Sequence, residues 1–81
     1  MIFYSYVLKS LKDGTHYYGS SENPETRLKI HNAGKVKYTK GHLPYILYFK
    51  EEFATRKEAV ARERFYKSIE GYKWLKSNGI I

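Results

Sequence analysis

The amino-acid sequence predicts an α+β fold in which helices flank a three-stranded antiparallel sheet, in the order β-β-α-β-α. Three features indicate this fold: an Asp-Gly turn between two strand-like runs, a proline-initiated helix that ends before a glycine, and a third strand followed by a capped helix. No repeat, linker or low-complexity segment interrupts the 81 residues, so we expect one domain over residues 1–81.

The first two strands are predicted to form a hairpin. β-Branched and aromatic residues dominate Ile2–Lys9, and Asp13-Gly14 separates this run from a second one. An Asp-Gly pair tolerates the positive φ angles of a tight turn. We therefore expect strands at Phe3–Ser10 and His16–Gly19.

A short helix and a basic loop follow the hairpin. Asn23 can cap the helix, and Pro24 suits its first position because the N–H that proline lacks has no partner there. Gly34 can adopt the left-handed conformation that ends a helix. The predicted helix covers Pro24–Asn32. The segment GKVKYTKGHLP after it shows no clear period and carries three lysines, so we expect a basic loop.

The last part of the chain is predicted to contain a strand and two helices. The run YILYFKEEF, Tyr45–Phe53, is the third strand. Thr55 and Glu58 form a capping box, which begins a helix over Arg56–Glu70 that Gly71 would end. The remaining segment, YKWLKSNGI, is expected to form a short helix that packs Trp and Leu side chains on the body.

Composition narrows the classes of function. Fifteen Lys and Arg against eight Asp and Glu give a net charge of +7, which favours a polyanionic partner such as nucleic acid. No apolar run reaches the roughly 18 residues of a membrane span, and the N-terminus lacks the pattern of a signal peptide. We expect a cytoplasmic protein without a membrane partner, and the absence of cysteine fits a reducing compartment.

Glu63 is a carboxylate at the edge of an apolar helix face. On a helical wheel the face contains Ala59, Arg62, Phe65, Tyr66 and Ile69. Burying an unpaired carboxylate is costly, so Glu63 needs a partner. Either a neighbouring Lys or Arg pairs with it, or it is a ligand for a hard cation such as Mg²⁺.

Arg27 and His31 are four residues apart and share one face of the first helix. Arg27 is either a solvated side chain or a fork that holds phosphate oxygens through two hydrogen bonds. His31 is either a partner for the negative end of the helix dipole or a base. Neither residue decides the function alone.

Tyrosines on the two hairpin strands can reach the same face of the sheet. Tyr4 and Tyr6 point to one face, whereas Tyr17 and Tyr18 point to opposite faces. Two hydroxyls near an arginine and a metal could position or deprotonate a water molecule. A phenol with a pKa of about 10 needs nearby positive charge to act as a base at neutral pH.

Five elements occur in a fixed order along the chain. They are YSYVL at Tyr4–Leu8, YYG at Tyr17–Gly19, Arg27, His31, and Glu63 within EAVARERFYKS. In motifs, order and spacing this arrangement resembles the GIY-YIG endonuclease family, from the first strand to about Ser68. The resemblance implies an antiparallel three-stranded sheet and hydrolysis of phosphodiester bonds at a site with one metal ion, Mg²⁺ or Mn²⁺. We expect DNA in preference to RNA as the substrate, although the sequence does not decide between them.

The resemblance implies a role for each matching residue. One of Tyr6 and Tyr17 would be the general base or water-orienting group, and the other would position water or phosphate. Gly19 would allow the substrate backbone to approach closely. Arg27 would steady charge on the scissile phosphate, and Glu63 would be the lone metal ligand.

Further substrate contacts are expected from the helix and the basic loop. His31 matches a histidine of small stand-alone family members and would share in proton transfer. The loop would contact substrate, chiefly its phosphates, through Lys35, Lys37, Tyr38 and Lys40.

The sequence departs from the family pattern in two places. Tyr4 and Ser5 stand where the first motif has glycine and isoleucine, a change that small members permit. Ser20 and Ser21 stand where several relatives carry a lysine. A lowered tyrosine pKa would then need positive charge from the metal or from a lysine of the Lys35–Lys40 loop.

Three functions follow from the sequence as hypotheses. The first is a metal-dependent DNA endonuclease with weak sequence preference, the second a nucleic-acid-binding module with weak or no catalysis on the same fold, and the third a protein-interaction domain. Both nucleic-acid hypotheses require affinity that falls steeply with salt, and only the first requires a cleaved product. The oligomeric state is left open.

Overall fold

The chain forms an antiparallel sheet with helices on both faces, in a computed structural model that describes residues 1–81. The strands, in sheet order β2-β1-β3, are β1 (Phe3–Ser10), β2 (His16–Ser21) and β3 (Tyr45–Phe53). The helices are α1 (Pro24–Asn32), α2 (Arg56–Tyr66) and α3 (Ile69–Ser77). The predicted α+β class is confirmed, and no helix has the length and apolar character needed to cross a membrane.

The central strand β1 is buried on both faces of the sheet. All four residues Ser5–Leu8 are buried, so this part of the strand does not alternate between buried and exposed side chains. Tyr6 and Leu8 pack on the side of α1, whereas Val7 packs with Tyr66 on the side of α2 and α3. Because β1 lies between the other two strands, the outer edge of β2 is one of the two edges of the sheet that pair with no further strand.

Strand β2 is longer than its sequence predicts. It continues from Gly19 to Ser21 because Ser20 and Ser21 pair with Ser5 and Tyr4 of β1. The same register places Tyr6 directly opposite Gly19.

The predicted helix over Arg56–Glu70, ended by Gly71, is wrong. Helix α2 ends at Tyr66, and the Ser68 side chain caps a new helix by accepting a hydrogen bond from the Gly71 N–H at 3.0 Å. Gly71 therefore lies in the first turn of α3. A Cβ atom there would lie 1.6 Å from the carbonyl oxygen of Phe65, so the glycine permits the close approach of α3 to the end of α2.

The break between α2 and α3 changes which side chains of this segment are buried, compared with one continuous helix. Ile69, predicted on the apolar face of a continuous helix, is exposed because the chain turns at the junction before it. Leu75 is buried with Val7, and Trp74 packs at the border of the same cluster. The prediction that this last segment packs on the body is confirmed.

The segment between α1 and β3 is tied down at both ends. At its start, the Asn32 amide bonds the backbone N–H and C=O of Tyr45 at 2.8 and 3.0 Å. At its end, the predicted basic loop contains a short 3-10 helix, Lys40–His42, and the Ser10 hydroxyl donates to the His42 carbonyl at 2.5 Å. The loop is therefore a fixed part of the α1 side of the sheet.

Replacing Gly71 with alanine is expected to destabilise the protein strongly. The added Cβ would collide with backbone that cannot move without separating α2 from α3, and such overpacking costs about 3 kcal/mol or more. Gly41→Ala is the matched control, since nothing lies within 4 Å of the Cβ it would add. Urea unfolding measures both variants, and equal midpoints would contradict the close helix contact.

Candidate active site

The Tyr6 ring crosses the neighbouring strand at Gly19. The ring is buried, and a Cβ atom on Gly19 would lie 2.4 Å from its hydroxyl oxygen and 2.5 Å from the adjoining ring carbon. This packing carries the hydroxyl from the central strand over the edge strand. Gly19 therefore makes room for Tyr6, whereas the sequence-based role gave that room to the substrate backbone.

Three groups act electrostatically on the Tyr6 hydroxyl. Burial raises the pKa of Tyr6. Nearby Tyr17 and Glu63 raise this pKa further, whereas the Arg27 guanidinium lowers it. Arg27 is half-buried on α1. Since burial dominates, Tyr6 is a neutral phenol at neutral pH and can donate or accept a hydrogen bond.

Glu63 lies beside the end of β2, held by two partners. The Ser20 hydroxyl donates to one carboxylate oxygen at 2.7 Å, and the Lys67 ammonium donates to the other at 2.8 Å. The carboxylate side chain keeps 21% of its surface exposed. Of the two alternatives that the sequence left open for Glu63, the structure contains the ion pair, and the pairing lysine is one turn further along α2.

The donor set around Glu63 fits a single magnesium ion. No group of three or more His, Cys, Asp or Glu residues able to hold a metal exists in the chain. One partly exposed carboxylate suits Mg²⁺, which dehydrates reluctantly and keeps most of its water ligands. Such an ion and Lys67 would compete for the same carboxylate.

His31 lies beneath the site, away from the open edge of the sheet. It is completely buried, its ring centroid is 4.7 Å from that of Tyr17, and its Nδ1 is 2.8 Å from the Thr39 hydroxyl. Burial, assisted by the charge of Arg27, lowers the pKa of His31. The proton-transfer role implied by the family pattern would require access to substrate, which His31 lacks in this structure because its side chain is completely buried.

Thr39 fixes the basic loop to this buried histidine. It is fully buried, and its hydroxyl contacts both His31 and the Val36 carbonyl. Nothing in the sequence singled out Thr39, because its partner is eight residues away. The substrate contacts predicted around it are exposed on the loop: Lys35, Lys37, Tyr38 and Lys40.

Two pockets lie along β2. A polar pocket of 350 Å³ at the start of α1 has no apolar residue in its wall, which includes Ser20, Ser21, Glu22, Arg27 and Arg56. A second pocket of 420 Å³ lies nearer the beginning of the strand, lined by His16, Tyr17, Tyr18, Tyr38 and Lys67. Gly19, with the Tyr6 hydroxyl over it, lies between the two sets of β2 residues.

Comparison with known proteins identifies the family of the chain. A family model described as the GIY-YIG catalytic domain matches residues 2–76 of the chain. The chain belongs to the GIY-YIG family. This assignment indicates a nuclease-type function with a nucleic-acid substrate.

Two curated GIY-YIG relatives and one solved structure are similar over most of the chain. The UPF0213 protein of Bacillus licheniformis is 46% identical over 67 residues, which are 82% of this chain and 68% of that protein. The UPF0213 protein of Staphylococcus haemolyticus is 40% identical over 74 residues, 90% and 89% of the two chains. The solution NMR structure of a UPF0213 protein from Bacillus halodurans is 35% identical, with a TM-score of 0.54, and the match covers 95% of this chain and 84% of that one.

Lys67 brings a positive charge to the region of Glu63 and Tyr17. Lys67 reaches Glu63 from the end of α2 and also lines the pocket beside Tyr17. The sequence predicts positive charge beside the tyrosines from the metal or from a lysine of the Lys35–Lys40 loop. The spacing of Glu63 and Lys67, four residues apart on a helix, was the signal that could have found the charge of Lys67.

A double-mutant cycle tests the packing of Tyr6 across Gly19. Gly19→Ala should destabilise the native chain, and should cost at least about 1 kcal/mol less in a Tyr6→Leu background, where no ring fills the space of the new Cβ. Urea unfolding gives the four free energies. Additive costs would show that the two side chains do not compete for this space.

The pH dependence of stability tests the burial of His31. The folded protein disfavours its protonation, so below about pH 6.5 the unfolded chain binds more protons. The free energy of unfolding should fall between pH 7 and 5, by at most about 1.4 kcal/mol per pH unit for this histidine. His16, whose pKa is also lowered, adds to the slope with the same sign.

His31→Gln should therefore reduce the slope without removing it. Unfolding free energies at several pH values compare the slopes of the two proteins, which makes the test independent of the variant's absolute stability. An unchanged slope would mean that His31 is protonated in the folded protein as readily as in the unfolded chain.

Proposed function

We propose that the chain is a metal-dependent endonuclease that hydrolyses phosphodiester bonds in DNA with weak sequence preference. One observation carries the proposal: in a GIY-YIG chain, the Tyr6 hydroxyl lies within electrostatic reach of Arg27, Tyr17 and Glu63, at the open edge of β2. These groups come from two strands and two helices. Their convergence is what hydrolysis of a phosphodiester requires, a cation for the phosphate and polar groups for a water molecule.

Arg27 and Arg56 supply fixed positive charge for the phosphate. Attack on a phosphodiester places negative charge on the phosphate oxygens, and guanidinium groups hold such oxygens through paired hydrogen bonds. Both arginines line the polar pocket, together with Ser20 and Ser21. Glu22 also lines it and lies 4.0 Å from Arg56, so Arg27 is the cation there without an ion pair. The scissile phosphate would therefore lie at the end of this pocket nearest the Tyr6 hydroxyl.

Glu63 is the residue that would hold a magnesium or manganese ion. When bound, the ion supplies positive charge that stabilises oxygens of the reacting phosphate. The carboxylate would have to exchange its Lys67 partner for this role, while Ser20 can keep its bond to the other oxygen. Ser20 then fixes the orientation of the carboxylate relative to β2.

Tyr6 and Tyr17 would orient the attacking water. Burial keeps the Tyr6 phenol protonated, so its hydroxyl orients water by hydrogen bonding, with Arg27 favouring negative charge nearby. Tyr17 lines the second pocket with Lys67, on the other side of Gly19 from the arginine pocket. The phenols of Tyr6 and Tyr17 therefore lie on either side of the place, beside Gly19, where the two pockets meet.

Weak sequence preference follows from the chemistry of the exposed groups. Lys35, Lys37 and Lys40 are charged side chains on the loop, and Arg27 and Arg56 lie in the polar pocket. Phosphate contacts of this kind position a nucleic acid without reading its bases. Selection from a random library that returned one sharp recognition motif would contradict this part of the proposal.

A nucleic-acid-binding module with little or no catalysis is the second candidate. It is favoured by the environment of Glu63, whose two oxygens are occupied by Ser20 and Lys67. No further acidic cluster is available to strengthen metal binding. Both candidates require binding that weakens as salt rises, so only the formation of product separates them.

Glu63→Gln should abolish cleavage and preserve binding. The amide keeps the shape of the side chain and can still contact Ser20, but it is a far weaker ligand for Mg²⁺ than a carboxylate. We expect a rate reduction of about 100-fold or more, measured with labelled single-stranded, duplex and branched DNA in Mg²⁺ or Mn²⁺. Affinity, measured by anisotropy without metal, should stay within a few-fold of native.

Glu70→Gln is the matched control, an equally conservative change at an exposed glutamate of α3. It should leave cleavage unchanged. Binding without product from either native protein or control would support the binding module, and equal cleavage by native protein and Glu63→Gln would contradict the role of Glu63.

A further inference from the structure

Tyr38 is a large aromatic side chain left exposed beside the candidate site. It keeps 72% of its surface exposed, although its ring centroid lies 6.0 Å from that of Tyr17 and 6.3 Å from that of His42. These contacts cover a small part of the ring. Tyr38 therefore offers free aromatic surface at the side of the site where Tyr17 lies.

Neighbouring contacts hold Tyr38 in place. The next residue, Thr39, is completely buried and bonds His31 at 2.8 Å and the Val36 carbonyl at 3.3 Å. The Lys40 N–H also bonds the Val36 carbonyl, at 3.0 Å. The exposed ring is thus presented from an anchored turn, and binding to it costs little ordering of the backbone.

The pocket beside Tyr38 combines aromatic walls with positive charge. Its 420 Å³ are bounded by Tyr17, Tyr18, Tyr38, His16 and Lys67, with no acidic residue in the wall. Lys35, Lys37 and Lys40 are exposed on the same loop as Tyr38. Aromatic faces surrounded by lysines suit a flat ring attached to phosphates, which is the chemistry of a nucleotide.

We propose that this pocket, which we call the tyrosine pocket, holds an unpaired nucleobase stacked on Tyr38. The inference rests on the proposed function and adds the substrate class: a strand with at least one unpaired nucleotide next to the cleaved phosphate. A paired base inside a duplex has both faces stacked, so within a strand an unpaired base is the one that presents a free face to Tyr38. Stacking tolerates any base, which agrees with weak sequence preference.

The experiment uses DNA carrying the fluorescent base 2-aminopurine at successive positions. The full chain carries Glu63→Gln to prevent cleavage, and a separate terminal label reports binding by anisotropy. We expect 2-aminopurine fluorescence to be quenched on binding at one position beside the junction of a flap, which fixes where the protein binds, and at no interior position of a continuous duplex. The position should lie next to the phosphate that the native protein cleaves.

Variants of Tyr38 show whether the loss of 2-aminopurine fluorescence is caused by stacking on the Tyr38 ring. Tyr38→Ala should abolish it and weaken binding to single strands about ten-fold, whereas Tyr38→Trp should retain both. Because the side chain is exposed, these changes leave the fold intact. Tyr48→Ala is the matched control, an exposed tyrosine of β3 that does not line the pocket, and it should behave like the native protein.

The outcomes separate this inference from the proposed function. Absence of nucleic-acid binding would overturn both. Binding and cleavage with no quenched position, or with quenching and affinity unchanged in Tyr38→Ala, would overturn the stacked base and leave the endonuclease in place. Equal affinity for a flap and for the same flap with an abasic residue at the quenched position would likewise overturn it.

Discussion

The packing of the Tyr6 ring across Gly19 is the constraint on which the site depends. Any side chain at position 19 would collide with the ring, so β1 and β2 meet in one register. A slip of one residue would turn every side chain of β2 to the other face of the sheet. Ser20 would then no longer point towards Glu63, and Tyr17 would leave His31. The Tyr6 ring thus fixes the position of its own hydroxyl and the register of β2, the strand that carries Tyr17 and Ser20.

Residues of the family pattern also serve the fold, which explains their spacing. Arg27 and His31 are one turn apart on α1, but Arg27 is half-buried and lines the polar pocket, whereas His31 is enclosed beneath Tyr17. Through Thr39, His31 holds the loop that carries the lysines and Tyr38. A change at His31 would therefore reach the site by moving the loop and Tyr17, without any direct contact between the imidazole and substrate.

Most of the fold could be predicted from the sequence because its signals are local. An Asp-Gly turn, an Asn-Pro start and a Thr-x-x-Glu cap lie next to the elements that they delimit, and β1, α1 and β3 have the predicted bounds. The junction of α2 and α3 could not be predicted this way. Ser68 lies inside a run with helical periodicity, and only the contact of Gly71 with Phe65 shows why the helix breaks. The burial of His31 likewise depends on the packing of separate elements. The Glu63–Lys67 pair, in contrast, could have been predicted, because residues four apart on a helix are neighbours.

A metal ligand set with one carboxylate, Glu63, would let the site that attracts a polyanion also hold a metal ion. Several acidic residues would bind a cation more tightly but would repel the phosphates of the substrate. Lys67 pairs with Glu63, and Arg56 lies 4.0 Å from Glu22. Arg27, which has no ion pair of its own, therefore adds positive charge to the edge of β2 that an approaching strand meets. A divalent ion at Glu63 would displace the lysine from the carboxylate and leave its ammonium free beside Tyr17. Metal binding and attraction of phosphate would then strengthen each other at this site, because the charge that the metal displaces remains in the tyrosine pocket.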